Sequence, residues 1–321
     1  MNHTAPTQQP VLLATRASPL AMRQADIVRQ RLLHAAPRLP IQLVPMQTQG
    51  DVTLLNDASS LSGKGLFLKE IEEALLDGRG HVAVHSLKDV PFPQTPGLTI
   101  AATLDAIDPR DALITKQGLS LDQLPEGAAV GTNSLRRQAQ VLSARPDLRV
   151  LPLRGNVGSR LQKLFDGQYD AIILAAAGLQ RLGLSSVNLT CNNMHFFDVM
   201  QWLPAPCQGV LALQCRSDDQ PMLELLAMLD ESATRQRTCA ERSFAARLGA
   251  DCRSALAAHA VCLPAATMVL HGWVASPNGA QSIRLSRSAP SDGAHALGIA
   301  LAEDFLRAGA AQVLHGCAQR T

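Results

Sequence analysis

Short apolar runs alternate with helical segments twice along the N-terminal part of this chain, and that alternation leaves few folds open. Residues 11–15 form the first run. Ser18-Pro19 follows, and a Ser N-cap with Pro at the first helical position marks a helix start. Leu20, Ile27, Val28 and Leu32 then recur at helical spacing towards Ala36-Pro37. Residues 41–46 return as a strand. A polar, glycine-containing segment at 59–65 is a loop of the kind that covers sites. A helix over 66–76 stops at Gly78. Residues 81–91 begin as an apolar strand and end in Ser86, Leu87, Lys88, Asp89, Val90 and Pro91. Strands joined through helices pair in parallel, and open sheets of this type bind ligands at the carboxyl ends of their strands. Asp89 stands at such an end, with Lys88 and Ser86 beside it.

A second unit repeats the pattern. Strands are expected at 98–104, 129–131, 149–153 and 170–174, and helices at 135–144, around Arg160, and at 175–182. Residues 105–110 make a polar crossing, and Thr132-Asn133-Ser134 caps the 135–144 helix. Residues 185–206 are irregular, with Phe196, Phe197 and Trp202 expected to pack. A strand at 208–215 is expected to return the chain to the first lobe. From residue 231 the texture changes to a long helix over 234–248, strands at 257–262, 268–274 and 282–288, and a closing helix over 294–308. Asn278-Gly279 is the hairpin turn between the last two strands. The expected fold is α/β, with two lobes and a cleft, plus a small α+β third domain. The boundaries are 10–104 with about 207–228 for lobe one, 105–206 for lobe two and 229–321 for the third domain.

Composition excludes several functions. The 321 residues carry 29 basic and 27 acidic side chains, a formal charge of +2, which excludes a strongly basic nucleic-acid binder as the default expectation. Aromatic residues make up 3%, too few for a base-stacking platform. No apolar run approaches the ~20 residues of a membrane span, and residues 1–10 lack the layout of a signal peptide. We therefore expect a cytoplasmic protein with no nucleic-acid or membrane partner. Seven cysteines without a C-x-x-C pair fit reduced thiols, and the histidines show no metal-ligand spacing, so no metal is expected.

The arginines are the informative charges. Arg16 follows the first strand, Arg136 and Arg137 open a helix, Arg154 follows a strand and Arg160 opens the next helix. Helix N-termini favour anions, so a cation there is unfavourable until an anion joins it. Guanidinium groups bind carboxylates bidentately. Together they point to a small polyanionic ligand, with Asp89 as the one carboxylate poised among them.

Six motifs in register then resemble the porphobilinogen deaminases. They are Ala14-Thr15-Arg16-Ala17-Ser18-Pro19-Leu20, Gly63-Lys64-Gly65-Leu66-Phe67, His85-Ser86-Leu87-Lys88-Asp89-Val90-Pro91, Gly131-Thr132-Asn133-Ser134-Leu135-Arg136-Arg137, Leu153-Arg154-Gly155-Asn156-Val157 and Ala175-Ala176-Ala177-Gly178-Leu179-Gln180-Arg181-Leu182-Gly183. The resemblance implies two lobes similar to periplasmic-binding-protein halves and a third domain whose cysteine carries a dipyrromethane cofactor by thioether. It implies an enzyme that joins four porphobilinogens head to tail into hydroxymethylbilane, releasing ammonia each time. Asp89 would stabilise positive charge on the pyrrole nitrogens as ammonia leaves. Cys252 would bear the cofactor, with Lys88, Ser86, Arg136, Arg137, Thr132, Ser134 and Arg160 on its carboxylates. Arg16, Ser18, Arg154, Arg181, Lys64 and Phe67 would hold substrate. Cys215 and Cys262, inside expected strands, and Cys239, inside a helix, are expected to pack instead. The resemblance further implies a monomer that hands its product to the next pathway enzyme. The chain departs from the family pattern around Cys252, which lacks neighbouring glycines, at Ser60, and at Gln214, where a glutamate is common. A polyanion-binding or regulatory protein on the same fold, with catalysis lost, is the alternative.

Overall fold

The computed structural model describes residues 9–48, 68–183, 189–251 and 254–315. They fall into two compact units. The first takes residues up to Val90, Gln94–Asp105 and Leu211–Glu231, and the second takes the remainder.

In the first unit β1 (Val11–Arg16) leads into α1 (Pro19–Ala35), where the Ser18 hydroxyl accepts the Ala21 N–H and Pro19 opens the helix. β2 (Ile41–Met46), α2 (Lys69–Leu76), β3 (Val82–Ser86) and β4 (Leu98–Leu104) follow. β10 (Leu211–Arg216) inserts between β3 and β4, giving the order β2-β1-β3-β10-β4. β1 runs parallel to β2 and β3, whereas β10 is antiparallel to both neighbours. Leu13, Val28, Leu32, Val84, Leu211 and Leu213 fill one face, and Ala14, Ile71, Leu75 and Leu98 the other. A sheet covered on both faces needs apolar residues at successive positions, which is why β3 opens on three successive buried apolar residues, Val82, Ala83 and Val84. Each fully buried leucine of the sheet, Leu13, Leu211 and Leu213 among them, contributes about 2 kcal/mol.

The second unit holds two sheets. β5 (Asp111–Thr115), β6 (Ala129–Gly131), β7 (Arg149–Leu151), β8 (Ala171–Ala175) and β9 (Met194–Phe196) order as β7-β6-β8-β5-β9. β6 is parallel to β7 and β8, and β5 is antiparallel to β8 and β9. α3 (Leu135–Ala144), α4 (Val157–Phe165) and α5 (Ala176–Leu182) connect them. Beyond lies an antiparallel sheet of β11 (Leu256–Leu263), β12 (Thr267–Ala275) and β13 (Ser282–Pro290). α7 (Ser232–Arg247) and α8 (Ala294–Arg307) cover it. Phe244 and Phe305 meet edge-to-face at 5.1 Å above Gly272. A Cβ at Gly272 would lie 2.8 Å from the Phe244 ring, so only glycine admits both rings.

The fold class is the expected one: α/β with two strand-and-helix lobes and a small α+β domain. Four elements went unforeseen: β5, β9, α6 (Gln220–Ala227) and α9 (Ala310–His315). α6 carries ordinary start signals, since the Asp219 side chain accepts the Met222 N–H and Pro221 sits in the first turn.

In the second unit the α7 carboxylate of Glu241 bridges two backbones. One oxygen accepts the Cys207 N–H at 2.5 Å and the other the Ala260 N–H at 2.8 Å, with His259 Nδ1 3.9 Å away. Cys207 has φ +62, and this carboxylate anchors its unusual backbone. Burial pushes Glu241 up to about 7, against the pull of those two N–H donors and of Arg237. Burial pushes His259 down to about 4.

Candidate active site

In the first unit β1 and β3 lie side by side with Ala14 opposite Ala83, so Arg16 falls level with His85 at their carboxyl ends. After β3 the chain makes one 3-10 turn at Leu87–Asp89. Leu87 and Val90 are buried and pin both ends of the turn, leaving Asp89 exposed and Lys88 half-buried. The Ser86 hydroxyl accepts from Gln24 Nε2 at 2.9 Å. Asp89, Lys88, Ser86, Arg16 and Ser18 thus share one edge of one sheet.

A buried polar chain lies under that edge. Thr95 donates to Glu72 Oε2 at 2.7 Å, Gln214 Nε2 donates to Glu72 Oε1 at 2.9 Å, and Gln214 Oε1 lies 3.0 Å from His85 Nε2. The Glu72 carboxylate can only accept, which turns the Gln214 amide NH2 towards it and its carbonyl towards His85. His85 must then donate from Nε2. Burial lowers the His85 pKa, while the Gln214 hydrogen bond and the Glu72 and Asp89 charges oppose the shift. Burial disfavours the charged ring, and the Gln214 contact fixes its tautomer behind the strand end that carries Asp89.

In the second unit the parallel neighbours β7, β6 and β8 present their carboxyl ends together. Thr132 and Ser134 follow β6. The Thr132 hydroxyl accepts the Ser134 N–H at 3.2 Å, and the Ser134 hydroxyl caps α3 through the Arg137 N–H at 3.4 Å. Arg154 follows β7 with an exposed side chain. Arg160 on α4 is half-buried and donates from Nε to the Gly155 carbonyl at 2.7 Å. Arg181 on α5 is buried and donates to the Gly209 carbonyl at 2.7 Å.

Arg136 and Arg137 are 3% and 7% exposed, and both reach the fully buried Asp111 at the start of β5. Arg136 Nη1 lies 2.8 Å from Oδ2 and Arg137 Nη2 2.7 Å from Oδ1. Trp202 Nε1 donates to Oδ2 at 3.0 Å, and Gln208 Nε2 donates to Oδ1 at 2.8 Å. Burial alone would raise the Asp111 pKa, but the two guanidinium charges overcome it and hold the carboxyl far below the usual range. The helix-start argument asked for an anion beside Arg136 and Arg137. The chain supplies the first one itself, from a strand that was not foreseen. Two positive charges still face one negative charge, and among the described residues the buried Nε atoms of Arg136 and Arg137 have no hydrogen-bond partner. The pair is one negative charge short.

Asp111, Gln208 and the ring nitrogen of Trp202 were missed in the sequence. Trp202 does pack, stacked on Phe197 at 4.1 Å, but it also clamps Asp111. The adjacent Arg136-Arg137 pair was the available signal, because buried arginines require a buried acid. Of the thiols, Cys215 is fully buried and pushed up to about 11 by burial, and Cys239 is half-buried in α7. Cys262 differs from the expectation. It lies in β11 but is exposed, because the last residues of that edge strand leave the core. Lys64, Phe67, Ser60, Cys252 and Arg253 lie outside the described residues.

Among the described residues no helix is long and apolar enough to cross a membrane, and no cluster of His, Cys, Asp and Glu could hold a metal ion. Two family models match the chain. One is described as "Porphobilinogen deaminase, dipyromethane cofactor binding domain" over residues 11–224, and the other as "Porphobilinogen deaminase, C-terminal domain" over residues 235–307. Similar solved structures include the methionine-binding protein MetQ, at 13% identity and TM-score 0.44, covering 68% of this chain and 89% of that one. They also include a putative periplasmic sulfonate-binding protein, SsuA, from Methylobacillus flagellatus, at 12% identity and TM-score 0.41, covering 73% and 69%. A third is the periplasmic VFT2 domain of Bordetella pertussis BvgS, at 15% identity and TM-score 0.41, covering 68% and 85%.

Proposed function

The chain belongs to the porphobilinogen deaminase family, and from that premise we propose that Asp89 is the carboxylate that carries its chemistry. The enzyme joins four porphobilinogens head to tail into hydroxymethylbilane for tetrapyrrole biosynthesis, and its cofactor is dipyrromethane. When bound, that group supplies the terminal pyrrole to which the incoming unit is joined. The observation that carries the proposal is the Leu87–Asp89 turn, pinned by two buried residues so that one exposed carboxylate stands at a strand end. A fixed carboxylate accepts hydrogen bonds from pyrrole N–H groups. It also lowers the energy of the positive charge that develops there as ammonia departs. Neither role needs Asp89 to give up or take a proton.

The carboxylates of cofactor and substrate need cations. Arg136 and Arg137, two positive charges against the single Asp111 carboxylate, fit a cofactor carboxylate. We assign Thr132, Ser134, Arg160, Lys88 and Ser86 to the same group, Arg16, Ser18, Arg154, Arg181, Lys64 and Phe67 to substrate, and Cys252 to the thioether. The family motifs support these assignments. We also take the chain as three domains, acting as a cytoplasmic monomer that hands its product to the next enzyme. The test is Asp89→Asn, which keeps the shape and removes the charge. Turnover should fall about a hundredfold or more, the scale for removing one preorganised stabiliser of developing charge, with melting temperature unchanged. Turnover near that of the native protein would remove Asp89 from the mechanism.

A further inference from the structure

Neighbouring residues on a helix point roughly 100° apart and do not normally meet. Arg136 and Arg137 nevertheless converge on one carboxylate, each within 2.8 Å of it. Like charges brought together out of water repel strongly, so whatever holds this pair must itself be held. Asp111 is. It starts β5, its side chain is fully buried, and each oxygen takes two donors. Trp202 and Arg136 lie at Oδ2, and Gln208 and Arg137 at Oδ1. Trp202 is fixed in turn by its stack on Phe197. Each guanidinium is secured at a second point, Arg136 by the Leu203 carbonyl and Arg137 by the Ile173 carbonyl, both at 2.9 Å. With two donors on each oxygen, the carboxylate has no capacity left for the unpartnered Nε–H groups.

We propose that Asp111 is the positioning residue of the anion site: it clamps Arg136 and Arg137 in one arrangement and leaves the cluster one negative charge short. The arrangement exists before any ligand arrives, and the ligand carboxylate completes it. This rests on the assignment of the pair to the dipyrromethane carboxylates, and the experiment separates the two.

Four full-length proteins are compared: the native chain, Cys252→Ala, Asp111→Asn, and the double variant. Intact mass first establishes which carry the cofactor, and melting temperature is then read for each. The native protein should melt well above Cys252→Ala, because the carboxylate meets an unfilled charge. In the Asp111→Asn background that gap should shrink to less than half, or no cofactor mass should be found at all. A purely packing role for Asp111 would lower both melting temperatures and leave the gap unchanged, which would overturn the proposal. If the native protein and Cys252→Ala melt together although the native protein carries the added mass, the assignment of the pair to the cofactor fails, and the proposal with it.

Should Asp111→Asn not fold, the native residue can be tested directly. In full-length Cys252→Ala, NMR of the guanidinium groups should show narrow, slowly exchanging Nε–H signals for Arg136 and Arg137, identified by Arg136→Lys and Arg137→Lys. Signals that are broad there and narrow only in the loaded protein would mean that the ligand, not Asp111, orders the pair.

Discussion

Glu241→Gln should change how stability depends on pH, by an amount the structure fixes. The carboxylate is buried in the second unit, accepts the Cys207 and Ala260 N–H groups, and titrates at about 7 against an ordinary 4.5. As pH rises through 4.5, an unfolded chain gives up this proton while the folded one keeps it until about 7. Unfolding in that window releases a proton, so the Glu241 contribution to stability is full below 4.5 and is lost as pH rises to 7. At 1.36 kcal/mol per pKa unit the loss is about 3 kcal/mol. Gln cannot titrate. It also accepts only one of the two N–H groups well, a cost of about 1–3 kcal/mol at every pH. His259 acts oppositely, since its folded value of about 4 lies below its ordinary 6.5 and its contribution is lost as pH falls between them. The two groups lie 3.9 Å apart, so the full-length His259→Gln protein, with and without Glu241→Gln, is measured alongside to separate them. The assay is urea unfolding of native and Glu241→Gln protein at half-unit steps from pH 4.5 to 7.5. The advantage of the native chain should be greatest at the acid end and shrink by about 3 kcal/mol towards neutrality. A difference that stays constant, or grows with pH, would refute the reasoning.

Arg154→Leu should lower kcat/KM by roughly tenfold to a hundredfold, the value of one or two charged hydrogen bonds. Arg79→Leu, which removes an exposed partner of Asp77, should leave the rate unchanged, and equal effects would count against the assignment of Arg154 to substrate. Gly279→Ala should destabilise the second unit by about 2 kcal/mol or more, seen as a lower urea midpoint. Gly279 has φ +69, and a Cβ there would lie 2.5 Å from both the Ala139 carbonyl and the Ser143 nitrogen, so the hairpin tip must lift off α3.

What the sequence revealed was what is local. The Ser18-Pro19 start of α1, the Ser134 cap of α3 and the β3 run with the turn to Asp89 after it are each specified within a few residues. They emerged close to their observed positions. Asp111 did not, because its meaning is spread over Arg136, Trp202 and Gln208, which lie 25 to 97 positions away and on other elements. A strand opening on a charged residue after a polar crossing gives no local sign that its acid is buried. Gln214 was visible only as a departure from the family pattern. The structure shows what the amide does there: between Glu72 and His85 it donates to one and accepts from the other, as no carboxylate could without borrowing a proton. Cys262 was misjudged because strand membership alone does not say where an edge strand leaves its core.

The thioether at Cys252 can be weighed directly. Intact mass spectrometry of freshly purified, active, full-length protein should give a mass above that of the sequence by one dipyrromethane. Dithiothreitol should not change it, because a thioether is not a disulfide. Cys252→Ala should lose both the added mass and the turnover, and Cys262→Ala should keep both. An unmodified mass in an active sample, or added mass that survives in Cys252→Ala, would contradict the account.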